Sequence, residues 1–203
     1  MIKKVILIGL LTVGSMALRA QELSAEDKTD LTNTISQFLK HTKNLDFGAI
    51  VDMSYPKIFE LATKEQMLEI LNGLTAMGFE LSYDSITSQE PVLVAENDSI
   101  KYALINYYSE MVMKITNEEL RNEESINLLK LSLANTGGVN SIDYVEERSS
   151  LVIKGNKRLL AIKDNSYGPQ WTAIEFDVNN AVLNSMLIPT SVLTKISEFI
   201  KNN

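Results

Sequence analysis

The run Ile100-Lys101-Tyr102-Ala103-Leu104-Ile105-Asn106-Tyr107-Tyr108-Ser109-Glu110-Met111-Val112-Met113-Lys114-Ile115 holds β-branched and aromatic residues and no Gly or Pro. Its apolar positions mostly alternate with their neighbours, which predicts one long strand. The doubled Tyr107-Tyr108 shifts the phase and predicts a bulge that bends this strand. Working outward, Gly78 marks the point where the apolar period falls from about 3.6 to 2. Phe79, Leu81 and Tyr83 alternate with Glu80, Ser82 and Asp84, and Val92 to Val94 makes a short strand closed by the Glu96-Asn97-Asp98-Ser99 turn.

Before Gly78 the chain reads as helical. Ser24 and Asp27 give an N-cap signal, with Leu31, Ile35, Phe38 and Leu39 at helical spacing behind it. A second helical piece spans about 45–53, and Pro56 permits a new start. Thr63-Lys64-Glu65-Gln66 is a capping box that opens a helix with Met67, Leu68, Ile70, Leu71 and Leu74 inward, stopped by Gly78. After Ile115, Thr116 and Glu119 predict another capping box and a helix to about Asn135. Leu120, Ile126, Leu129 and Leu133 form its core side, and Gly137-Gly138 ends it. Strands then follow at about 141–147, 151–154, 157–163 and 170–177. Gly155-Asn156 reads as a two-residue hairpin turn and 164–169 as a longer loop. Helices at about 178–187 and 190–201, separated by Pro189, close the chain. No repeat or low-complexity linker interrupts it, so 21–203 reads as a single domain.

The first twenty residues read as an address: Lys3 and Lys4, an apolar run from Val5, then small residues at Gly14, Ser15, Ala17 and Ala20. This is the order of a cleaved secretory signal peptide, and its apolar stretch is shorter than the roughly 20 residues that span a bilayer. The protein is therefore expected to be secreted or periplasmic, with no lipid-bearing Cys and no membrane span. Removing the signal leaves 16 basic against 26 acidic residues and moves the net charge from −7 to −10. Such a surface repels phosphate backbones, so nucleic acid is not an expected partner.

With 45% apolar and 22% charged residues the chain can bury a core. The absence of Cys excludes disulfides, thiol catalysis and Cys-ligated metals, and a single His excludes every site that needs two. His41, flanked by Lys40 and Lys43 at a helix end, reads as a surface residue rather than a base. Glu118-Glu119 and Glu123-Glu124 read as solvated helix starts, since adjacent residues do not face each other. Glu146 and Glu147 on a strand would point to opposite sides. Asp164, Ser166 and Gly168 echo only part of a calcium loop and read as a polar loop. No cofactor or metal is expected.

The segments Trp171-Thr172-Ala173-Ile174-Glu175-Phe176 and Tyr55-Pro56-Lys57-Ile58-Phe59-Glu60-Leu61, set after helices and within a strand-rich chain, resemble the nuclear transport factor two-like superfamily. The second segment is similar to small secreted bacterial proteins of uncharacterised function. The resemblance covers about 24–177 and rests on element order. It implies an α+β fold: N-terminal helices on a strongly bent, cone-like antiparallel sheet, here with an inserted helix and a C-terminal helical extension. It also implies an apolar cavity that relatives use for catalysis, capture or neither.

Tyr83, Tyr102, Tyr107, Tyr108 and Tyr144 fall on expected strands and could bring hydroxyls to such a cavity, with Trp171 as a flat platform. The ligand-lining candidates are Tyr83, Tyr102, Tyr107, Tyr144 and Trp171, although packing is the stronger reading of each tyrosine. The catalytic constellations are incomplete. This favours a non-enzymatic module that binds a small apolar ligand or a protein partner, with a homodimer as a third option. The alternative is a cofactor-free isomerase, dehydratase or hydrolase that uses cavity Tyr and Asp/Glu groups.

Overall fold

The computed structural model describes residues 23–202, so the expected signal over 1–20 lies outside the described residues. Ser24 opens α1 (Ala25–Lys43), its hydroxyl accepting the Asp27 N–H at 3.1 Å. Asp46 caps α2 (Phe47–Asp52), and Pro56 starts a 3₁₀ stretch that ends at Glu60. Thr63 and Gln66 form the predicted capping box of α3 (Lys64–Ala76), and Gly78 takes the φ of +90° that ends it. The inward face expected of α3 is incomplete. No α3 residue is fully buried and Ile70 is 68% exposed, because the helix lies at the margin of the sheet beside α2 and β1.

The strands β1 (Phe79–Ser88), β2 (Val92–Glu96), β3 (Ile100–Ile115), β4 (Val139–Val145), β5 (Ser150–Asp164) and β6 (Trp171–Glu175) form one open antiparallel sheet. β3 and β5 pair from Ile100↔Asp164 to Lys114↔Ser150 and make a two-strand spine. β2 and β1 lie end to end along the other side of β3, and β6 and β4 do the same along β5. With α4 (Glu123–Ala134), α5 (Ala181–Leu187) and α6 (Thr190–Asn202), the described residues hold six α-helices.

The structure corrects several local expectations. β3 keeps its register against β5 without a break, so the bulge expected at Tyr107-Tyr108 does not occur there. The register shifts lie on the flanking strands instead, at Asp84, Val94 and Asn140. The apolar phase changes along β3 because both of its faces are covered near its start. Tyr102 and Leu104 are buried with Val192 and Ile196 of α6, whereas Ala103 and Ile105 are buried with Leu31 and Ile35 of α1. The capping box expected at Thr116 is also absent. Thr116 N donates to the Gly78 carbonyl at 2.8 Å and prolongs the β1–β3 pairing. Asn117 instead caps a 3₁₀ turn over Glu118–Leu120, and Asn122 caps α4. Glu146 and Glu147 lie in an exposed 3₁₀ turn beyond β4 rather than on a strand.

Gly155-Asn156 is not a hairpin turn, since β5 passes straight through it. The glycine is required for a different reason. A Cβ at residue 155 would run into the Gly138 carbonyl oxygen, where the start of β4 crosses close to β5. Gly155→Ala is therefore expected to destabilise the protein by about 2 kcal/mol, the scale of overpacking a tight site. Urea unfolding of the variant against wild type measures it.

Three clusters make the core. One joins α1 to Ala103, Ile105, Leu159, Ala161, Trp171 and Ala173 on one face of the spine. A second joins Tyr55, α5 and α6 to Tyr102, Leu104, Leu160 and Ile162 on the opposite face. The third seats Ile126, Leu129 and Leu133 of α4 against Met113, Ile115, Leu151 and Ile153, the core side that the spacing predicts. Among the described residues no helix is long and apolar enough to cross a membrane.

Candidate functional site

The pairing of Ile100 with Asp164 brings the turn between β2 and β3 beside the loop between β5 and β6, and Asn165 N donates to the Ser99 carbonyl at 3.0 Å. A third segment reaches the same end of the sheet. Ala173 N donates to the Met53 carbonyl and Tyr55 N to the Ala173 carbonyl, a short parallel bridge at Ser54 that fixes Tyr55 over the spine. These segments and the α5–α6 junction at Leu187 and Pro189 surround an open cleft of about 580 Å³.

Its centre is a hydrogen bond of 2.8 Å from the Tyr55 hydroxyl to Asp164 Oδ2. Asp164 Oδ1 accepts the Ser166 N–H at 2.9 Å. Burial pushes the Asp164 carboxyl upward, but the Ser166 N–H, the Tyr55 hydroxyl and the charge of Lys57 outweigh it and hold the group below its usual value. The same pair acts on Tyr55 in reverse. Burial first, then the hydrogen bond and charge of Asp164, hold its hydroxyl well above the ordinary tyrosine range. Tyr102 is pushed up to about 12 by burial and then by the Asp164 charge. Tyr167, 42% exposed, meets Tyr55 edge to face with ring centroids 5.6 Å apart. Asn97 Oδ1 accepts the N–H groups of Ser99 and Ile100 and fixes the turn on the opposite lip.

A carboxylate offers about four acceptor positions, and the Tyr55 hydroxyl, the Ser166 N–H and the Ser166 hydroxyl take three of them on Asp164, which leaves room for one more hydrogen bond. The cleft therefore presents an ionised acceptor, an aromatic face at Tyr167 and an ammonium at Lys57 to whatever enters it. Its hydroxyls are poor proton donors, since the Tyr55 proton is already committed to Asp164.

Of the ligand-lining candidates read from the sequence, only Tyr102 lines this cleft, joined by Asp164 and Ser166, which the sequence presents only as a polar loop. Tyr83 and Tyr107 come together elsewhere, around the Lys157–Glu175 ion pair of 3.0 Å. Burial, then the Glu175 carboxylate, raises the Tyr107 hydroxyl far above its usual value. Burial also raises Tyr83, more than the nearby Lys157 lowers it. Tyr144 packs partly buried in the α4 cluster, and Trp171, 3% exposed, lies in the α1 cluster. Tyr108 lines a separate groove below α6, and Tyr107 reaches its lining as well. Tyr55, Lys57 and Tyr167 escape sequence reasoning as site residues because Tyr55 and Asp164 are 109 positions apart. The one available signal was the polar loop at 164–169 itself.

His41 Nδ1 lies 3.0 Å from Asp46 Oδ2 at the α1–α2 corner, away from the cleft. Among the described residues, groups of three or more His, Asp or Glu able to hold a metal do not occur. Comparison of the chain with family models, curated proteins and solved structures finds no match.

Proposed function

We propose that this is a secreted or periplasmic, non-enzymatic binding module, with a bent cone-like sheet of the nuclear transport factor two-like kind, that captures a small polyhydroxylated ligand in the Asp164 cleft. The observation that carries the reading is the Tyr55–Asp164 hydrogen bond. It holds the carboxylate ionised and oriented, with an acceptor position left for a ligand hydroxyl, while Tyr167 offers a ring for the ligand's apolar face. The bulges on three flanking strands support the curvature, because each inserts a bend into an otherwise regular pairing. The α1 cluster on one face of the spine supports the helical layer. The alternative, acid–base chemistry on a carbonyl substrate, needs a hydroxyl poised to give up its proton, and the committed Tyr55 and raised Tyr102 speak against it.

Saturation-transfer NMR with glucose, N-acetylglucosamine and myo-inositol tests the proposal. At least one of the three is expected to bind saturably, with affinity falling at least tenfold in both Asp164→Asn and Tyr167→Ala. If none binds the intact protein, the polyhydroxyl reading fails. Turnover of a carbonyl substrate that disappears in Tyr55→Phe would replace it with the enzymatic one.

A further inference from the structure

The face of the sheet that α6 covers carries a second recess, of about 380 Å³, beyond the Tyr102–Leu104 cluster. Its floor is Asn106 and Tyr108 of β3 with their register partners Arg158 and Asn156 of β5, residues that share one face by the period of two. Phe199 and Ile200, near the end of α6, form an apolar wall. We infer that this recess binds a small amphiphilic carboxylate, with its head group on Arg158 and its tail along Phe199 and Ile200.

Two observations carry the inference, and neither depends on the Asp164 cleft. Arg158 Nε is fully buried and has no hydrogen-bond partner among the described residues. A buried N–H of a charged group without an acceptor is costly, so an acceptor brought by a ligand would be held firmly. The second observation is the charge of the lining. In a chain with 26 acidic residues, no Asp or Glu among the described residues lines this recess. The neutral amides do not satisfy Arg158 Nε either: Asn106 Nδ2 donates to Gln89 Oε1 at 3.2 Å, and neither Asn106 nor Asn156 accepts from Nε. A guanidinium presents its Nε–H and a neighbouring N–H as a planar fork that matches the two oxygens of a carboxylate. The apolar wall selects for a tail rather than a bare ion, and the volume limits it to a small molecule.

Isothermal titration of the intact protein with octanoate, and with 1-octanol as the uncharged analogue, tests the inference. Octanoate is expected to bind at one site per chain, at least tenfold more tightly than octanol. Arg158→Met should abolish that preference. Arg158→Lys, which keeps a charge but loses the fork, should retain only part of it. Thermal melts of both variants confirm that they fold. Asp164→Asn should leave octanoate binding unchanged, which separates this site from the cleft. Failure of octanoate to bind, equal affinity for octanol, or unchanged preference in Arg158→Met would overturn the proposal. Loss of octanoate binding in Asp164→Asn would also overturn it, by placing the probe in the cleft.

Discussion

Replacing Trp171 by Ala is expected to lower the unfolding free energy by about 3–5 kcal/mol, the range for deleting a large buried aromatic. The indole opens β6 and is 3% exposed, packed in the cluster that α1 forms with the spine. The surroundings push the cost toward the upper end. Ala103, Ala161 and Ala173 are register partners on β3, β5 and β6, each wholly buried, and they form a row of methyl groups across the sheet. The indole and α1 fill the space above that row. Alanines have no longer rotamer with which to collapse into the hole left by the ring, so a cavity would persist. The indole Nε1 has no hydrogen-bond partner among the described residues, so the substitution removes packing without breaking a polar contact. Urea unfolding followed by far-ultraviolet circular dichroism measures the change. A loss below about 1 kcal/mol would mean that the ring is not core.

The second large effect is expected at Asp27. Lys101 and Lys163 are register partners on β3 and β5, so two ammonium groups face each other across neighbouring strands. Asp27 of α1, 5% exposed, sits between them, its carboxylate accepting from Lys101 Nζ at 2.6 Å and from Lys163 Nζ at 2.7 Å. Hydrogen bonds from Lys101 and then Lys163 outweigh burial and hold the carboxyl down to about 2. Asp27→Ala removes the neutralising charge and leaves like charges opposed, at a cost of about 3 kcal/mol. Both lysines are partly exposed, which keeps the figure at the lower end of the buried-pair range.

The folded value of Asp27 lies below the unfolded value of 3.8. Its contribution is therefore fully present above about pH 4 and is lost as the pH falls through about 2. The stability gap between wild type and Asp27→Asn should be about 2 kcal/mol at pH 7 and should narrow across that acid window. A gap that stays constant from pH 7 to pH 2 would show that the carboxylate charge is not what the lysines require.

The elements themselves were readable wherever one periodicity acted alone. The Ser24 and Thr63 caps, the Gly78 stop, the full extent of β3 and the inward side of α4 follow from local sequence. Reading failed where a residue answers to a distant part of the chain. Gly155 looks like a turn but serves a close approach of Gly138, and Tyr107-Tyr108 looks like a bulge because α1 and α6 cover opposite faces of one strand. The cleft was the least legible feature. Tyr55, Tyr102 and Asp164 come from three separated segments, and only the β3–β5 pairing and the Ser54 bridge set them side by side.

The two-strand spine has a consequence for solubility. Two long strands, each flanked by two short ones, leave four outer strands, each a potential template for pairing with another chain. Each of the four is either interrupted or covered. β1, β2 and β4 carry the irregularities at Asp84, Val94 and Asn140, which twist the free backbone groups out of line. β6 keeps a regular register but is covered by the Met53–Tyr55 segment through the bridge at Ser54. The same bridge that seats Tyr55 over the cleft thus also closes an edge on which another chain could add a strand.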